Sequence, residues 1–274
     1  MSSIATRSFV APRSTLTGAA GVSLGLAVTW FSLLVLIPLS ALVATAAGGG
    51  WDNYVTTLTN AQTWAAIRFT VVQSLLVTGV NAVMGTLIAW VLVRDRFWGK
   101  RFLDVVIDIP FALPTIVAGL VLLSLYGTRS PIGLNLALTK PAVALALAFV
   151  TLPFVVRTVQ PVLEELDHDV EEAAASLGAT RTTIITRLIL PSLAPAIAAG
   201  AALAFARAIA EYGSLVLLSG NRPGDTEVVS VRVMAMIEGG NAAAAASIAT
   251  VMLVVALAVI VALDLIQRRV SRRG

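Results

Sequence analysis

Two charged residues in this sequence lie where charge is expensive. Arg207 and Glu211 interrupt a long apolar run, and a spacing of four puts them on one face if that run is helical. A charge at the centre of a membrane helix costs at least about 2.5 to 3.5 kcal/mol, so such residues turn toward protein or water. Two roles are open to them. Either they neutralise each other or partner charges inside a bundle, or they line a pathway, with Arg207 a cationic donor to a passing dianion and Ser214 a hydroxyl donor. Such a pathway holds no deep anion cage, because a translocating ion must also leave.

The remaining chemistry-bearing residues gather in one polar stretch. Glu164, Glu165, Asp167, Asp169, Glu171 and Glu172 surround His168, the single histidine of a chain without cysteine. One imidazole with no further nitrogen or sulfur ligands makes a poor metal site, and nothing places the carboxylates in a cleft that excludes water. These groups read as solvated loop surface. No Gly-x4-Gly-Lys-Ser/Thr phosphate loop occurs, so the chain itself is expected to bind neither nucleotide nor any other cofactor.

The scaffold that must position these residues is embedded in lipid. Hydrophobic residues make up 58% of the 274 and charged residues 12%, with a mean hydropathy of +0.91; a soluble domain carries roughly 25% charge. Six apolar runs are long enough to cross a bilayer as helices, at about 20–46, 65–93, 104–126, 141–163, 193–219 and 242–267. They lack the short alternating strands of a closed barrel. The first run is too long for the apolar core of a cleaved signal peptide and is read as a retained span. Pro38, Pro110, Pro114 and Pro153 fall inside spans, where kinks are expected.

The net charge of +4 is a topology signal rather than a nucleic-acid footprint, because the cations stand at the ends of apolar runs. With the N-terminus inside, thirteen cations face the cytoplasm: Arg7, Arg13, Arg94, Arg96, Lys100, Arg101, Arg157, Arg181, Arg187, Arg268, Arg269, Arg272 and Arg273. Only four face out, Arg129, Lys140, Arg222 and Arg232, while Arg68 and Arg207 belong to the membrane region. Both termini are therefore expected in the cytoplasm.

That orientation makes 164–191 the longest cytoplasmic stretch. Asp169 followed by Glu172 forms a capping-box pattern, so a helix is expected from Asp169 to Leu177, closed by Gly178 in a left-handed conformation. A second helix is expected from just after Thr180 to Pro191. Val170, Ala173, Ala174 and Leu177 share one face of the first helix. By spacing alone this stripe packs on the chain's own membrane domain or fills a groove on a partner.

The run Glu172-Ala173-Ala174, three residues, Gly178, nine residues, then Leu188-Ile189-Leu190-Pro191 resembles the EAA loop of ABC importer membrane subunits. Its one departure is Leu188, where that pattern has Ile. The resemblance extends over roughly residues 20 to 270 and points to the sulfate/thiosulfate permeases of the CysT type. Pro110 to Thr115 with Leu125-Tyr126-Gly127 is similar to their third span; Arg207 to Ser214 with Thr226-Glu227-Val228 is similar to their fifth span and following loop. Ala210 departs from the glycine expected there. Molybdate permeases, close relatives, tend to carry Leu-Pro-Pro and Glu-Phe-Gly-Ala at those two places.

This resemblance implies an all-α integral membrane protein with six transmembrane helices, the ABC type-1 importer permease fold and a cytoplasmic coupling helix. Asp169, Val170, Glu172, Ala173, Ala174, Leu177 and Gly178 are then the ATPase-coupling residues, and Pro114, Thr115, Arg207, Glu211 and Ser214 line the translocation pathway. The implied division is a tail at 1–19, a first span with outer loop at 20–63, a transmembrane domain at 64–267 and a basic tail at 268–274. Implied partners are a homologous second permease of the CysW type, two ATP-binding subunits that use ATP and Mg, an external sulfate-binding protein and membrane lipid. The implied place is a bacterial inner membrane. Molybdate or tungstate import and ion-driven secondary transport are the competing readings, and a membrane-embedded enzyme would need convergent acids, bases or metal ligands beyond Arg207 and Glu211.

Overall fold

The computed structural model describes residues 18–271. Of the expected tails, residues 1–17 and 272–274, with Arg7, Arg13, Arg272 and Arg273, lie outside the described residues. Every regular element among those described is helical. The chain divides into two units, Met1–Ala44 and Thr45–Gly274. The first is helical from Gly18 onward: α1 (Gly18–Phe31), a π turn (Ser32–Leu36) and the opening of α2 (Ile37–Gly48).

The second unit begins with the end of α2 and α3 (Gly50–Thr59), a helix where an outer loop was expected, on which Trp51 stacks on Tyr54 at 5.7 Å. Asn60 then caps α4 (Ala61–Arg94), its side chain accepting the N–H groups of Gln62 and Thr63. There follow α5 (Lys100–Ile107), α6 (Ile109–Ala112), α7 (Thr115–Tyr126), α8 (Lys140–Glu165), α9 (His168–Ser176), α10 (Arg181–Ile184), a second π turn (Ile185–Ile189) and α11 (Leu190–Ile209). The last elements are α12 (Gly213–Leu218), α13 (Val229–Glu238) and α14 (Ala242–Ser271). Among the described residues, five helical runs are long and apolar enough to cross a membrane, and a bent pair makes a sixth if it is counted as one span.

That bent pair falls in the expected span at 104–126, where a kink is expected at Pro110 and Pro114. Lys100–Ala112 and Thr115–Tyr126 meet at 117°. Proline drives the residue before it out of the helical region, and Leu113 and Pro114 are both extended, at ψ 134° and 135°. The expected span at 193–219 is also revised. Its helix closes at Ile209, and Ala210–Tyr212 separate it from α12.

Pro191, expected to end a helix, lies inside a continuous run from Arg181 to Ile209. Leu190 donates its N–H to the Ile185 carbonyl five residues back, and Ile37 does the same to Ser32 just ahead of Pro38. Proline offers no N–H and crowds the carbonyl four back. A wider turn immediately upstream relieves both problems, so the helix passes through.

Small residues set the packing of the long helices. A Cβ on Gly85 of α4 would lie 2.8 Å from Val155 Cβ, and one on Gly200 of α11 would lie 3.0 Å from Val155 Cα. Val155 of α8 is therefore gripped from two sides by backbone that only glycine leaves open. Val155 belongs to one of three clusters of buried apolar side chains, whose buried members fall between Ala66 and Met252.

Candidate functional site

The bend at Pro114 and the break at Ala210 bring both expected pathway segments to one crossing. A Cβ on Gly119 would sit 2.7 Å from the Ser214 carbonyl oxygen, and one on Gly213 would sit 2.8 Å from the Ile116 nitrogen and against Thr115 Oγ1. Thus α7 and α12 touch backbone to backbone. Pro114 stands exposed at the head of α7 with Thr115 half-buried behind it.

Arg207 and Glu211 pair at 2.6 Å between Nη2 and Oε2, although Glu211 lies beyond the end of α11 rather than on its face. The other carboxylate oxygen accepts the Ser214 N–H and hydroxyl, each at 2.8 Å. Glu211 thereby caps α12 with a charge at its positive end. Ser230 Oγ donates to the Glu211 carbonyl at 2.6 Å, tying in α13. Glu211 is buried, whereas the Arg207 side chain keeps 29% of its surface. Ser214 is fully buried with its hydroxyl committed to Glu211. It positions that carboxylate, and the expected free hydroxyl donor is not what this geometry offers.

A second charged cluster escaped the sequence reading. Arg157 of α8 donates to Asp108 through both Nε (2.8 Å) and Nη2 (2.7 Å), to Asp104 Oδ1 through Nη1 (2.7 Å), and to the Asp104 carbonyl through Nη2 (2.7 Å). Gln160 Oε1 accepts a further bond from Nη1 at 2.7 Å. The planar guanidinium fits this two-pronged arrangement in a way a lysine cannot. The clamp holds the α5–α6 elbow on α8, and the elbow in turn sets where α7 begins. The spacing of Asp104 and Asp108, one helical turn apart at the head of an apolar segment, was the available signal.

The polar loop forms α9 as expected, with one correction at its start. The cap is Asp167, whose carboxylate accepts the Asp169 N–H at 2.9 Å, so the helix opens at His168 and Asp169 lies in its first turn. Its end agrees with expectation. Gly178 has φ +88°, its N–H bonds the Ala175 carbonyl, and the Ala179 N–H bonds that of Ala174, the closure that needs a left-handed residue.

One side of α9 is anchored. Glu171 pairs with Arg94 at the end of α4 at 2.6 Å, Arg94 lies over the Trp90 ring at 5.6 Å, and His168 Nδ1 is 3.0 Å from Arg94 Nη1. The apolar stripe on the other side is uncovered among the described residues: Leu177 is 90% exposed, Val170 49%, Ala173 is exposed and Ala174 half-buried. Glu172 is exposed and has no ion-pair partner among the described residues.

A family model described as binding-protein-dependent transport system inner membrane component matches residues 81–273. The chain belongs to that family. It is 41% identical over 259 residues to the sulfate transport system permease protein CysT of Escherichia coli (strain K12), covering 92% of the chain and 94% of that protein. It is 40% identical over 248 residues to the sulfate transport system permease protein CysT of Synechocystis sp., covering 88% and 87%. Among solved structures, a bacterial alginate ABC transporter in complex with alginate pentasaccharide-bound periplasmic protein aligns over 92% of this chain and 94% of that chain, with a TM-score of 0.77 at 19% identity. The MetNI methionine ABC transporter in an inward-facing conformation aligns over 77% and 99%, with a TM-score of 0.58 at 20% identity. The all-helical, multi-pass fold is thus that of ABC transporter membrane chains.

Proposed function

We propose that this chain is a permease subunit of an ATP-driven sulfate or thiosulfate importer in a bacterial inner membrane, with both termini in the cytoplasm. The observation that carries the reading is the 41% identity to a sulfate permease over nearly the whole of both chains. A homologous CysW-like permease completes the pathway, two ATP-binding subunits hydrolyse ATP with Mg, and an external binding protein supplies the affinity for sulfate.

In this reading α9 is the coupling helix. Its uncovered stripe of Val170, Ala173, Ala174 and Leu177, with Asp169, Glu172 and Gly178, meets the ATPase, and the Arg94–Glu171 pair holds the opposite side to α4. Movement of α9 then reaches α8, which leads into it, and the 181–209 run, which leads out of it toward Arg207. Pro114, Thr115 and the open side of Arg207 border the path. Glu211 and Ser214 hold Arg207 in place and moderate its pull on a passing dianion.

The test is a reconstituted complex of both permeases, the ATPases and the loaded binding protein. Gly178→Asp and Glu172→Lys are expected to abolish sulfate-stimulated ATP hydrolysis and uptake while the complex still assembles. Intact hydrolysis and uptake in both variants would remove the docking assignment, and stimulation by molybdate in place of sulfate would reassign the cargo.

A further inference from the structure

The corner between α4 and α5 carries an exposed apolar face beside a cluster of cations. The acids of the elbow, Asp104 and Asp108, are committed to Arg157 while their side chains keep 42% and 49% of their surface. Phe102, Val105 and Ile109, spaced to share one face, are 74%, 67% and 42% exposed. An apolar face turned outward beside a bilayer-crossing bend belongs in hydrocarbon.

Charge marks where that hydrocarbon ends. Arg94, Arg96, Lys100 and Arg101 stand against the single acid Asp95 in the eight residues from 94 to 101. Two of these cations are already engaged, Arg94 with Glu171 and Lys100 with the carbonyls of Val93 and Asp95. Arg96 and Arg101 are exposed and have no partner among the described residues. Trp98 lies between them and is 99% exposed, at the place in the sequence where an interfacial aromatic belongs.

We infer that this corner binds an anionic phospholipid, with its phosphate on the Arg96 and Arg101 guanidinium groups, its glycerol region on Trp98 and an acyl chain along Phe102, Val105 and Ile109. The order of cation, amphipathic ring and apolar face along the chain repeats the order of headgroup, interface and tail in a lipid. The assignment is independent of which ion the chain carries. Its consequence is that lipid and the Arg157 clamp hold the same elbow from opposite sides.

The test uses the complete transporter in nanodiscs, with Trp98 kept and the other four tryptophans changed to phenylalanine. Brominated phosphatidylglycerol titrated into phosphatidylcholine discs is expected to quench Trp98 at least about twofold more than brominated phosphatidylcholine. Loss of about fivefold in apparent affinity is expected for Arg96→Gln or Arg101→Gln, and about 30-fold for the pair. Equal quenching by the two lipids, quenching that ignores the arginine variants, or a Trp98 shielded from lipid by the ATPase subunits would each overturn the inference. Native mass spectrometry of the protein with all its tryptophans gives a separate reading. One tightly held phosphatidylglycerol should disappear in the double variant, and its retention would count against the site.

Discussion

The Arg207–Glu211–Ser214 arrangement makes specific demands on substitution. Glu211→Gln leaves Arg207 without a counter-charge in the membrane region, and the assembled complex should lose about 2 to 3 kcal/mol of stability in thermal unfolding. Ser214→Ala removes one hydroxyl donor from the same carboxylate and should cost about 1 kcal/mol. Arg157 is probed differently. Arg157→Lys retains charge without the fork, and Arg157→Ala leaves two carboxylates facing each other, so losses of about 1 and 2 kcal/mol are expected, with Asp108→Asn partly suppressing the second. Hydropathy alone exposed Arg207 and Glu211, since any charge inside an apolar run is conspicuous. Arg157 was counted as a cytoplasmic cation because its partners lie 49 and 53 residues away, a separation that no local spacing encodes.

Packing of whole helices rests on points where a side chain is forbidden. Gly119→Ala drives a methyl group into the Ser214 backbone and should push α7 from α12, costing about 1 to 3 kcal/mol and lowering uptake more than binding-protein docking. Leu177→Asp tests the contrary case. Because Leu177 is 90% exposed, unfolding stability should change by less than about 0.5 kcal/mol while ATPase stimulation is lost. The existence of α9 and its glycine closure were readable from Gly178, since few residues close a helix that way. Its cap stands two residues earlier than expected because Asp167 and Asp169 are equally able caps, and only the extended Leu166 and Asp167 backbone decides between them. Pro191 misled for a related reason, because the register slip that accommodates it is a hydrogen-bond choice invisible in residue types.

Across the molecule, hydropathy located the membrane-crossing runs because each must satisfy its backbone internally in lipid. Hydropathy does not register the 117° bend, since a bent pair and a straight span have the same composition, and it is Pro110 and Pro114 that mark a kink there. The π turn before Pro191 has a mechanical consequence for the transporter as a machine. One residue is about 100° of rotation around a helix, so the slip at Ile185–Ile189 fixes the angular phase between the Thr180 end of the rod and Arg207 at the other. Proline at 191 bars the tighter turn that would change that phase. On the proposed coupling role of α9, a twist delivered there would be carried to Arg207 in that fixed phase, as along a keyed shaft.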